Sequence, residues 1–137
     1  MDIIGSALAA LLFIAGMSRV REPTRQAVNA VLAAGAAGAY LSGGGFGIWE
    51  LPFAAIAGVV AYYGLRSYGF IGIAWFMHAA WDLAHHRYGN PIWPFMESSS
   101  LGCAVFDAII GAWFLALHRR AGSDVRPFSA PAHPATQ

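Results

Sequence analysis

Five apolar runs separated by short turns leave this chain little choice of fold. They cover residues 3–18, 27–42, 51–65, 68–86 and 101–118, and of all the charged residues of the chain they contain only Asp82 and Asp107. A helix crosses a bilayer with about 20 apolar residues, and about 17 is the lower limit. The last two runs pass that limit and the first three, of 15 or 16 residues, come within reach of it, so the runs predict an all-α, polytopic transmembrane helix bundle of five spans, with four as the alternative if the first or second run does not fully cross. Residues 1–121 form one domain. The remainder, 122–137, carries Pro127, Pro131 and Pro134 among small polar residues and reads as a disordered tail.

Composition agrees. Apolar residues make up 58% and charged residues 11%, against roughly 45–50% and 25% in a soluble domain. With a net charge of +1 and no basic patch for phosphates, nucleic acid is not a partner; the lipid bilayer is, and a homo-oligomer stays open. A single cysteine, Cys103, excludes an intramolecular disulfide. The first run is not read as a cleaved signal, because Asp2 precedes it where basic residues are expected and Arg19, Arg21 and Arg25 follow it.

Those arginines also orient the chain. Arg19, Arg21 and Arg25 fall in the first turn, Arg66 in the third, and Arg119, Arg120 and Arg126 after the fifth run; Arg87 alone falls in an even-numbered turn. Basic turns stay cytoplasmic, so the amino terminus is expected outside, the carboxyl terminus inside, and the protein in the inner (plasma) membrane as a multi-pass chain. The second run is rich in Ala and Gly, which allow close helix packing in lipid. Gly43-Gly44-Gly45 is expected to end it. Glu50 and Pro52 suit the first turn of a helix. Pro91 and Pro94 bar the fourth helix from continuing, and the segment around them, with its apolar Trp93, Phe95 and Met96, is expected on the membrane surface or folded back as a lid. Ser98 to Ser100 are cap candidates for the last helix.

On a helix, residues three, four and seven apart share a face, so His78, Asp82 and His85 form one stripe. Imidazole and carboxylate are good ligands for zinc or iron. On the expected topology Asp107 reaches a similar depth from the fifth helix, and an aspartate at a helix centre costs roughly 2.5–3.5 kcal/mol on insertion, which marks it as functional. His78, Asp82, His85 and Asp107 are therefore the expected ligands of one transition-metal ion, and Glu50 or Glu97 the general base on metal-bound water. The plain alternatives are a helix-start role for Glu50, a headgroup position for His85 and His86, and an interhelical hydrogen bond with one protonated aspartate.

The stretch His78-Ala-Ala-Trp-Asp82-Leu-Ala-His85-His86-Arg87-Tyr-Gly-Asn-Pro-Ile-Trp-Pro-Phe95 resembles a family of small bacterial multi-pass membrane proteins known as a domain of unknown function. The resemblance implies an integral membrane protein and supplies no activity. More loosely, His-x3-Asp-x2-His-His is similar to the histidine boxes of membrane di-iron hydroxylases and desaturases, which use more histidines than the five here. The His-x3-Asp pair is also similar to intramembrane zinc hydrolases of the ceramidase type.

Three functions compete at this point. One is a metal site, as a binding centre or as an enzyme acting on a lipid-like substrate. The second is a small transporter or proton-coupled component, because buried Asp and His also make proton relays. The third is a structural membrane protein whose polar residues lock helices together.

Overall fold

The computed structural model describes residues 3–123. Five α-helices follow one another: α1 (Ile3–Met17), α2 (Thr24–Ala37), α3 (Glu50–Gly64), α4 (Tyr68–Tyr88) and α5 (Ser99–Ser123), with a 3-10 turn, Gly47–Trp49, leading into α3. Among the described residues there is no strand, and the fold is all-α. Asp2, Arg126 and the tail from 124 onward lie outside the described residues.

α2 starts earlier and stops earlier than the apolar run. Pro23, pre-set for helical φ, stands directly before Thr24. At the other end the helix gives way at Gly38 to a folded turn, in which the N–H groups of Gly43 and Gly44 both donate to the Tyr40 carbonyl. Gly43, Gly45 and Gly47 take φ of +150°, +98° and +59°, a region that side chains disfavour. The residues expected as the last turn of a span thus form a compact glycine turn over one end of the bundle.

α4 is the hub. It packs against α5, α3 and α2, while α1 lies on α5 and α2 on α3. Its buried stripe runs Ile71, Trp75, His78, Asp82, His85, at the alternating spacing that keeps one helix face inward. Its first half is apolar and meets Ala30, Ala33, Ala61, Ile110 and Phe114 in one core. Its second half is polar. Gly72 and Gly111 sit at the α4–α5 crossing: a Cβ on Gly72 would come within 3.0 Å of the Gly111 carbonyl oxygen and 2.8 Å of Leu115. Their lack of side chains lets the two backbones close up.

Apolar side chains line much of the outside, and several polar ones share the interior with the apolar core. Leu8, Leu12, Val31, Ile56, Val59 and Ile73 are exposed, whereas Asn29, Glu50, His78, Asp82, His85 and Asp107 are buried. Among the described residues, Ser99–Ala121 is long and apolar enough to cross a membrane, and α1 is apolar but shorter. α1, α2 and α3 have 14 or 15 residues, or roughly 21–23 Å at 1.5 Å per residue.

The two ends of the bundle differ. At one, Arg25 pairs with Glu22 and donates to the Tyr68 hydroxyl, Tyr68 bonds Glu22, Gln26 donates to the Gly64 carbonyl, and Ser67 meets His118. At the other lie the glycine turn, Glu50, His85 and the 89–98 segment. There Asn90 donates to the carbonyls of Gly43 and Gly44, and Ser99 and Ser100 accept the N–H groups of Trp93 and Ile92. The serines expected to cap α5 thus hold the preceding segment in place.

Candidate functional site

His78, Asp82 and Asp107 meet inside the bundle. One helical turn separates His78 from Asp82 on α4, and the close α4–α5 crossing brings Asp107 across. His78 Nδ1 lies 2.6 Å from Asp107 Oδ2 and 3.3 Å from Asp82 Oδ2. The other ring nitrogen, Nε2, lies 2.6 Å from the Ala36 carbonyl oxygen. A carbonyl only accepts, so Nε2 carries a proton there and Nδ1 faces the carboxylates. Asp82 is fully buried, and its Oδ2 has no hydrogen-bond partner. Three acceptor atoms, one from each residue, lie within 4.8 Å of one another, and the group could hold a metal ion. Two carboxylates converge on one imidazole nitrogen where a metal ion, a shared proton or a histidinium offsets their charge.

Asp82 has a further partner absent from the sequence reading. Tyr40, in the glycine turn, donates its hydroxyl to Asp82 Oδ1 at 2.8 Å. The same oxygen lies 2.9 Å from Ser100 Oγ. One phenol has one proton, so the hydroxyl that donates to Asp82 accepts from Ser100. The only signal available was a lone phenol at the end of a small-residue run, and nothing in its spacing ties it to Asp82.

His85 does not join this group. It shares the α4 stripe, but Glu50 reaches it from α3: His85 Nε2 is 2.8 Å from Glu50 Oε1, and Nδ1 donates to the Trp81 carbonyl at 2.9 Å. Glu50 also accepts the Phe46 N–H at 3.2 Å and the Trp81 indole N–H at 3.0 Å. It stands just ahead of the apolar part of α3. The bonds from His85, Trp81 and Phe46 leave both of its oxygens partnered. Gly44 is bare where this pair sits: a Cβ there would meet His85 Nε2 and Tyr40 Cβ, each at 2.6 Å. The Tyr40 ring stacks on His85, with centroids 3.6 Å apart and planes 13° apart. It therefore touches the Glu50–His85 pair with its face and the three-residue cluster with its hydroxyl. Glu97 is exposed on the 89–98 segment, and His86 is exposed at the end of α4; neither belongs to the cluster.

Residues 1–120 match the Family of unknown function (DUF6010), and the chain belongs to that family. No curated protein and no solved structure matches it.

Proposed function

We propose that this DUF6010 protein is a multi-pass integral membrane protein that binds one divalent transition-metal ion between His78, Asp82 and Asp107. The observation that carries the reading is Asp82 Oδ2, fully buried and without a hydrogen-bond partner beside two other ligand atoms. Its contact with His78 Nδ1, at 3.3 Å, is long for a buried carboxylate oxygen, and a cation among the three groups satisfies that oxygen more fully. The orientation of His78 supports the same reading, because metal-bound imidazoles almost always donate their second N–H to an outer partner, the place taken here by the Ala36 carbonyl. One imidazole and two carboxylates suit zinc, iron or manganese.

The membrane part of the reading rests on exposed apolar side chains around buried polar ones. Five spans, an outer amino terminus and an inner carboxyl terminus satisfy the arginine distribution. The short α1–α3 helices are accommodated by local bilayer thinning.

The test is elemental analysis of detergent-purified protein beside the His78→Ala/Asp107→Ala and Asp82→Asn variants. The expected result is a near-stoichiometric transition metal in the parent and its loss from the variants. Metal content unchanged in the variants removes the assignment.

The 2.6 Å contact between His78 and Asp107 favours a second reading, in which a proton is shared there and the string Asp107, His78, Asp82, Tyr40, Ser100 conducts protons. Parent protein free of metal after supplementation, together with acid-driven proton uptake into vesicles, would select it.

A further inference from the structure

We infer that the buried cluster exchanges its metal ion with the Glu50 end of the bundle only, and that the Tyr40 ring is the gate on that route. The inference rests on the metal-binding reading and adds a direction and a path to it.

Two cavities of about 340 Å³ each flank the glycine turn. One is walled by Ser42, Gly43 and the Asn90–Pro94 stretch, the other by Gly45, Gly47 and Glu50. Tyr40, Gly43, Gly44 and Asn90 line both. Tyr40 is only 3% exposed, yet its hydroxyl reaches Asp82 at 2.8 Å. A single aromatic ring thus links the two cavities to the cluster. The cavity walls include a carboxylate, a serine hydroxyl and an amide, which can replace part of the hydration shell of an arriving cation.

The opposite end also has a cavity, of about 420 Å³ and lined by Glu22, Gln26, Ser67 and His118, but none of the cluster residues lines it. Beyond His78 the α4 stripe continues as Trp75 and Ile71, packed with Ala74, Ile110 and Phe114. An ion crossing that layer would give up water with no replacing ligands, which is prohibitive for a divalent charge.

Gating by Tyr40 needs only side-chain and turn motion. The ring is held by a stack and by two hydroxyl contacts, and its segment lies outside α2 in the turn bounded by Gly38 and Gly43. The Gly44 backbone packs directly against the Tyr40 Cβ, where a side chain would collide at 2.6 Å, so the turn and the ring move together. Swinging the ring away breaks its bond to Asp82 and opens Asp82 to both cavities in one movement.

The experiment uses Co²⁺ as the bound ion. The full chain, carrying Cys103→Ser and Glu97→Cys to score orientation with a membrane-impermeant maleimide, is reconstituted in lipid vesicles with Co²⁺ bound. EDTA is then added outside. Populations with the Glu50 end outward should release Co²⁺ at least about tenfold faster than those facing inward. In detergent, Tyr40→Ala should raise the release rate by about tenfold or more. Tyr40→Phe, which keeps the stack and loses the hydroxyl, should fall between it and the parent. Equal release from both faces overturns the inference, as do Tyr40 variants that bind Co²⁺ and release it at the parent rate. A parent protein that never takes up Co²⁺ overturns the metal-binding reading, and this inference with it. One that binds Co²⁺ but shows neither sidedness nor a Tyr40 effect overturns this inference alone.

Discussion

Both buried histidines of α4 hold one ring nitrogen against a backbone carbonyl, Ala36 for His78 and Trp81 for His85. The remaining nitrogen is thereby aimed at carboxylates, two for His78 and one for His85. The difference lies in what else the carboxylates touch. Glu50 accepts bonds from His85, Trp81 and Phe46, so its charge is well satisfied; Asp82 Oδ2 has only the 3.3 Å contact with His78 Nδ1. The first arrangement suits a fixed ion pair, the second a site for an added cation. Glu50→Gln should therefore be less stable than the parent by about 1–3 kcal/mol in thermal unfolding in detergent; a variant as stable as the parent would show that these bonds do not hold the glycine turn onto α4.

The α4–α5 pair makes the site, and two glycines make the pair. Asp107 reaches His78 because Gly72 and Gly111 let the helices cross closely. Gly72→Leu should force them apart, destabilising the fold by about 1–3 kcal/mol through overpacking, and should lower metal occupancy as well. Circular dichroism and elemental analysis on the same sample check this; a variant that unfolds earlier yet keeps full occupancy would show that the crossing does not position Asp107. This scale also explains what was legible in the sequence. The i, i+4 spacing of His78 and Asp82 is local, so it fixes their shared face without reference to any other helix. Asp107 could be placed only through the topology, which matched its depth to theirs. His85 was legible as a member of the stripe but not in its partner, because Glu50 comes from another helix and is steered by the 43–49 turn. Tyr40 could not be read at all. A residue expected to continue α2 lies instead in the turn after Gly38, and the small-residue run around it carries no periodic signal of that change.

For the molecule as a whole, exposed apolar residues on α1, α2, α3 and α4 surround a core that holds Asp82, Asp107, His78 and Glu50, and on the proposed reading lipid covers those faces. On that reading the arginines also give a direction. Arg66 and the Glu22–Arg25 pair mark one end, and Glu97 with the glycine turn marks the other. Single cysteines at Arg66 and Glu97, each in a Cys103→Ser background, test this in intact cells. An impermeant maleimide should label Glu97→Cys from outside and Arg66→Cys only after permeabilisation. The reverse pattern would keep the bundle and invert it, moving the expected entry of the metal to the cytoplasmic face. Labelling of both positions in intact cells would mean that α4 does not cross, and would remove the membrane reading at the helix on which the site is built.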